Sequence, residues 1–252
     1  MDLKSKERFT DRAKNYSRYR PSYAQSLIEY LTATIDLKAE DKIADIGSGT
    51  GISSKLFLDF GNTVYGIEPN STMRCEAEEN LKLYDAFYSI ESSAEKTDLD
   101  NNSVHHIVSA QAFHWFDPIP TKEEFARILK PNGSVILLWN VRESDDDDFT
   151  GNLMKIIGKY SADFTKVNEK RDIVKDFFGN TEINYKKIPN PQFSSLERIV
   201  GELSSYSYLP NEGQENYQNM MDEVQVIFDK FKNDEDEVVL TYTTNVHIGK
   251  II

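Results

Sequence analysis

Residues 43–51 read Ile43-Ala44-Asp45-Ile46-Gly47-Ser48-Gly49-Thr50-Gly51. An apolar run enters, three alternating glycines turn the chain, and residues 52–60 leave with helical spacing, stopped by Gly61. Strand, glycine turn and helix in immediate succession are the start of a βαβ unit. Glycines allow positive φ and let a ligand touch bare backbone. The helix that follows offers unpaired N–H groups and a partial positive charge. In open α/β sheets a loop at the carboxyl end of a strand is the usual place for a ligand.

Outward from this loop the alternation repeats. Strands are predicted at 42–46, 63–67, 86–90, 104–110 and 134–141. Helices are predicted at 22–35, with Pro21 at the first turn, at 52–60, at 71–79, and after a capping box formed by Thr121 and Glu124. Pro131-Asn132-Gly133 reads as a turn. The last run, SVILLWNV, is apolar throughout, as a strand covered on both faces should be. Five alternations at short spacing imply a parallel sheet with right-handed crossovers. Beyond residue 148 helices are expected over 149–164, 167–178, 194–210 and 214–231, and strands over 181–188 and 237–248. The α/β chain is therefore read as one domain, 1–252. It comprises an N-terminal helical arm (1–40), a cofactor-binding core (41–141), and a part with cap helices and the last two strands (142–252).

Composition narrows the function classes. The chain has 252 residues, 39% of them hydrophobic, enough to bury a sizeable core. Its net charge of −13 repels polyphosphate and anionic lipid, so neither nucleic acid nor a membrane is expected as partner. One cysteine, Cys75, excludes an internal disulfide or a cysteine zinc cluster. The polar start shows no export signal, and no run reaches the ~18 apolar residues of a membrane span, so a cytoplasmic protein is expected. Residues 1–20 carry seven Lys/Arg against three Asp/Glu. This basic arm either holds a small anion near the site or is a solvated helix. The Asp145–Asp148 run reads as a solvated loop or helix N-terminus, with a divalent-metal site as the alternative.

The loop discriminates between ligands. A dinucleotide fingerprint needs glycine or alanine at position 52, which is Ile52, and no Gly-Lys-Ser/Thr phosphate loop follows. Asp45, before the loop, suits a cationic amine. Glu68 ends the second strand 23 residues after Asp45, where an acid can accept both ribose hydroxyls. A nucleoside with an amino-acid end and no need for phosphate contacts fits; S-adenosylmethionine is such a molecule. An NAD-dependent oxidoreductase and a non-catalytic regulatory protein that binds the same ligand are the alternatives.

The segments IADIGSGTG (43–51), GIEPN (66–70) and SAE (93–95) resemble the class I S-adenosylmethionine-dependent methyltransferases. FTDRAKNYSRYRPSY (9–23), SAQAFHWFD (109–117), SSYSYLP (204–210) and LTYTT (240–244) are similar to one branch of them, the trans-aconitate methyltransferase-like proteins and related small-molecule enzymes. The resemblance implies a Rossmann-like, doubly wound, seven-stranded sheet with the last strand antiparallel and helical cap insertions. It places Gly47, Ser48 and Gly49 against the cofactor's methionine and ribose, with Asp45 below and Glu68 on the ribose. Pro69, Met73, Ser93, Ala94 and Glu95 would lie about the adenine, with Ser93 standing where relatives often carry aspartate. Ala110 and Gln111 would lie beside the sulfonium. A small-molecule acceptor, methylated on a carboxyl or hydroxyl oxygen, and a monomer or homodimer are expected.

Candidate catalytic residues are His114, Tyr16 and Arg20. His114 is either a base after the fourth strand or a structural member of Phe113-His114-Trp115. Tyr16, Tyr19, Arg18 and Arg20 either close over the site, an arginine forking onto a carboxylate, or only dock the arm. Trp115, Trp139 and Tyr206 are read as acceptor-pocket or core aromatics. His105, His106 and His247 are read as structural, the first two pointing to opposite faces of their strand. No metal site is expected.

Overall fold

A computed structural model of the chain describes residues 17–143, 145–161, 173–206 and 208–251. In chain order these form α1 (Leu27–Ile35), β1 (Lys42–Ile46), α2 (Ile52–Phe60), β2 (Thr63–Ile67), α3 (Ser71–Asn80), β3 (Phe87–Ile90) and β4 (Val104–Ala110). Then follow a short 3₁₀ turn (Phe113–Trp115), α4 (Pro118–Ile128), β5 (Leu129–Arg142), α5 (Phe149–Tyr160) and α6 (Ile173–Phe178). The chain closes with β6 (Asn184–Pro189), β7 (Gln192–Ser194), α7 (Leu196–Ser204), α8 (Tyr217–Phe231), β8 (Val238–Leu240) and β9 (Tyr242–Gly249).

The main sheet has seven strands in the order β3-β2-β1-β4-β5-β9-β6. Neighbours from β3 to β5 pair in parallel, and β9 runs antiparallel to both β5 and β6. The chain winds outward from β1 to β3, then returns to β4 on the other side of β1. This reversal opens a crevice at the carboxyl ends of β1 and β4.

Successive strand residues serve two cores, as the period of two requires. Ile43, Val108, Ile136 and Leu138 pack with Leu27 and Leu31 of α1 and Phe57 of α2. Ala44, Ile107, Val135 and Leu137 pack on the other face with Phe125 and Ile128 of α4 and Phe177 and Phe178 of α6. A third cluster joins α5, α7, α8, β8 and Tyr242, with Leu153, Leu203, Met220, Val224 and Phe228 buried. It forms a cap beside the carboxyl end of the sheet.

Four expectations are corrected. The first helix starts at Leu27 and not at residue 22, because the Pro21 and Ser22 carbonyls accept from Asn140 Nδ2 (3.4 and 3.1 Å) and the Ala24 amide is taken by Thr244 Oγ1 (3.1 Å). Helix α4 is capped by Asp117, which accepts from the Ile119 amide (3.3 Å), with Pro118 at its first position; Thr121 lies inside the helix. Pro131-Asn132-Gly133 bulges within β5, where pairing jumps from Val104↔Leu129 to His106↔Ser134. The final strand divides at Thr241, whose amide is taken by Thr150 Oγ1 (2.9 Å) and whose carbonyl is taken by Glu143 N (2.9 Å). Val238–Leu240 therefore pairs with β7 in a small separate sheet.

Candidate active site

Between β1 and α2 the chain reverses through Gly47, Gly49 and Gly51 at φ +70, +56 and +85, all in the left-handed region that favours glycine. The Gly47 and Ser48 amides donate to Ile67 O (2.8 and 3.2 Å), pinning the loop to the end of β2. The Gly49 amide donates to Glu68 Oε2 (3.0 Å), and Glu68 Oε1 accepts from the Asn70 amide (2.8 Å). Glu68 is nearly buried, and burial pushes its carboxyl up against the pull of these two amides. Asn70 in turn caps α3 by accepting from Met73 N (3.0 Å).

Asp45 lies beneath the loop, fully buried. One carboxylate oxygen accepts from Ser53 Oγ (2.7 Å) and Ser54 Oγ (2.6 Å) at the start of α2. Burial raises its pKa from 3.8 to about 6. Asp45 thus braces the loop through the first turn of α2, and the cleft is lined by Ser53 above it.

A cleft lies at the switch point. It is lined by Gly47, Ser48, Gly49 and Thr50 of the loop, by Ala110 at the end of β4 and Gln111 after it, by Asn140 on β5, and by Arg20, Tyr206 and Tyr242. Gln111 holds φ +59, a strained conformation for a side-chain-bearing residue, and its Nε2 donates to Asn140 O (3.0 Å). Arg20 Nε donates to Ser205 Oγ (2.9 Å), and its guanidinium lies 4.0 Å from the Tyr206 ring centroid. Arg18 and Tyr19 dock on Glu197 of α7 (3.2 Å each), so the described end of the arm crosses onto the cap.

The other predicted residues lie as follows. Met73 brings its Cε within 3.8 Å of where a Gly49 Cβ would sit. Pro69 stands between Glu68 and the Asn70 cap. Ser93 bridges to Lys96, Ala94 is buried with Ile67, and Glu95 accepts from Asp117 N (3.2 Å). His114, in the 3₁₀ turn, packs against Trp115 with centroids 4.8 Å apart and does not line the cleft. Trp139 meets His247 edge to face, away from the cleft. Tyr16 lies outside the described residues. His105 and His106 both reach Asp41, through different oxygens (3.8 and 3.5 Å), because Asp41 sits at the strand end between the two faces. Among the described residues no cluster could hold a metal ion; Asp148 caps α5 by accepting from Gly151 N (2.6 Å), and Asp146 pairs with Lys155.

Sequence reasoning missed Thr50, Tyr23, Asn140 and Tyr242 as cleft residues. Asn140 carried a readable signal, a polar residue inside an apolar strand run. Tyr242 carried none, because the division of the last strand at Thr241 decides where it points.

The loop fits the expected donor. Among the described residues, only Met73 Cε stands within 4 Å of where a Gly49 side chain would begin, so bare backbone faces the cleft. Thr50 Oγ1 lines the same cleft, buried and without a hydrogen-bond partner among the described residues.

A family model described as a methyltransferase domain matches residues 44–137. A protein of Dictyostelium discoideum named as a methyltransferase is 31% identical over 209 residues, covering 80% of this chain and 77% of that protein. The chain belongs to the class I S-adenosylmethionine-dependent methyltransferases. A methyltransferase-like protein of Schizosaccharomyces pombe is 25% identical over 249 residues, 97% of this chain and 94% of its own. The fold of this methyltransferase is shared by a solved structure described as a type II methyltransferase from Anaeromyxobacter dehalogenans. That structure is 16% identical, with TM-score 0.64, covering 92% of this chain and 97% of that one. Membership sets aside the NAD-dependent reading and makes S-adenosylmethionine the methyl donor. No helix among the described residues is long and apolar enough to cross a membrane.

Proposed function

We propose that this methyltransferase acts on a small acceptor, at a carboxylate oxygen, as a single-domain cytoplasmic enzyme of the trans-aconitate methyltransferase-like kind, monomeric or homodimeric, with no nucleic-acid partner. Gly47, Ser48, Gly49 and Glu68 would hold the donor, with Met73 and Ser93–Glu95 toward its adenine and Ala110 and Gln111 toward its sulfur. When bound, the donor supplies a methyl group on a sulfonium, already activated for in-line displacement. The chain's own work is then to align an acceptor and exclude water.

The observation that favours a carboxylate is the chemistry of the cleft wall. Among the described lining residues there is no Asp, Glu, Lys, Cys or His, and the only charge is Arg20. Burial holds the Tyr206 and Tyr242 hydroxyls far above the usual phenol range. Among the described residues, none that lines the cleft takes a proton near neutral pH. A nucleophile must arrive ionised, and Arg20, fixed on Tyr206 and Ser205, is the matching charge. A hydroxyl acceptor would require a base brought in from outside the lining, with His114 the candidate. The test is release of S-adenosylhomocysteine with a panel of small carboxylic acids and of matched alcohols and phenols. Acid-dependent turnover giving an alkali-labile methyl ester supports the reading. Turnover confined to hydroxyl acceptors, or binding of the cofactor with no turnover on any acceptor, overturns it.

A further inference from the structure

Behind the two cleft tyrosines lies a buried charged pair that the cofactor loop does not use. Arg142 ends β5 and Glu202 belongs to α7; their side chains are 8% and 3% exposed, and Arg142 Nη2 donates to Glu202 Oε1 at 2.8 Å. The same oxygen accepts from Tyr206 OH (2.8 Å) and Tyr242 OH (2.6 Å). The Arg142 guanidinium lies 5.3 Å from both ring centroids. Three donors, from the end of β5, the segment after α7 and the start of β9, therefore converge on one atom.

We propose that Glu202 determines which acceptors react: by binding both tyrosine hydroxyls on one oxygen and cancelling the Arg142 charge beside them, it keeps the acceptor wall neutral and unable to take a proton. The inference rests on the O-directed reading given above. Each hydroxyl proton is committed to Glu202, so neither tyrosine is ready to receive one from an acceptor. The charged and titratable groups facing the pair are Arg142 from β5, Glu202 from α7, Arg20 from the arm and Tyr208, whose ring centroid lies 5.1 Å from that of Tyr206. Without the Glu202 charge, Arg142 is left as an uncompensated buried cation, and its nearest source of neutrality is a tyrosinate. Glu202 is thus a specificity-determining residue that acts through the wall it holds, without touching the acceptor.

The test is a tyrosinate titration read at 295 nm, beside calorimetry with S-adenosylhomocysteine. Glu202→Gln is expected to gain the absorbance of at least one tyrosine below about pH 11.5, while near-UV circular dichroism stays native. Its turnover of phenol relative to benzoate is expected to rise by about tenfold for each unit by which that tyrosine's pKa falls. A folded Glu202→Gln with an unchanged titration curve overturns the proposal. Because that variant leaves Arg142 as a buried charge without its partner, a second one guards against misfolding. The Tyr206→Phe/Tyr242→Phe double variant keeps both rings and is expected to titrate as the wild type does up to the same pH. A smaller amplitude in it would show that the wild-type tyrosines ionise freely and would equally overturn the proposal. Failure of the wild type to bind S-adenosylhomocysteine would count against the methyltransferase reading, while the titration would still decide the role of Glu202.

Discussion

The Gly49 amide and the Glu68 carboxylate meet at 3.0 Å, joining the loop that follows β1 to the acid that ends β2. The two sequence signals for the cofactor, 19 residues apart, are one physical unit. Glu68 also holds the Asn70 amide and so the start of α3. Glu68→Ala leaves two amides without their charged acceptor, a loss of about 1.5–3 kcal/mol per bond. Calorimetry is expected to show affinity for S-adenosylhomocysteine reduced by at least tenfold, with Glu68→Asp intermediate.

Gly47 has no room for a side chain. A Cβ there would stand 2.5 Å from Ala112 Cβ and 3.2 Å from Phe116, at φ +70. Gly47→Ala is expected to cost about 1–3 kcal/mol from overpacking and left-handed strain. Gly158 in α5 has nothing among the described residues within 4 Å of an added Cβ, and Gly158→Ala is expected to stabilise by up to about 1 kcal/mol. Denaturant midpoints of the two variants should move in opposite directions.

Much of this was legible in the sequence, for a reason that also marks its limits. Local periodicity and glycine spacing are set by the chain itself, and β1, β2 and β4 fall where their apolar runs predict. Long-range capture is not local. Pro21 and Ser22 are held out of a helix by Asn140, over a hundred residues away, and Thr241 is kinked by Thr150 and Glu143. The Arg142–Glu202 pair joins a strand end to a cap helix 60 residues on, and no spacing rule connects them. The cofactor half of the cleft is local and readable; the acceptor half is tertiary.

Asp45 gives a pH dependence with a defined sign. Its folded pKa of about 6 lies above the ordinary 3.8, so the folded state binds more protons between these values. Its contribution to stability is full below about pH 4 and is lost as pH rises through 6. The shift of about 2 units corresponds to about 3 kcal/mol. Asp45→Asn removes the charge and keeps the shape. Its unfolding free energy is expected to lose this slope between about pH 4 and 6, measured by urea denaturation across that range.

The arm is seated by the absence of a side chain on the cap. A Cβ on Gly201 of α7 would stand 2.3 Å from Tyr19 Cδ2. Gly201→Ala is expected to displace the Tyr19 ring and with it the Arg18 and Tyr19 contacts to Glu197. Limited trypsin digestion should then cut after Arg18 several-fold faster than in the wild type, while α7 stays folded by circular dichroism; the Arg20–Pro21 bond resists trypsin in both proteins.

The central claim is that the glycine turn after β1 seats a sulfonium nucleoside. Titration calorimetry with S-adenosylhomocysteine, on the wild type and on Gly49→Arg, tests it most directly. The account predicts one site per chain in the wild type and none in the variant, whose side chain would fill the space beside Met73. No heat of binding in the folded wild type, or equal binding in both proteins, would contradict it.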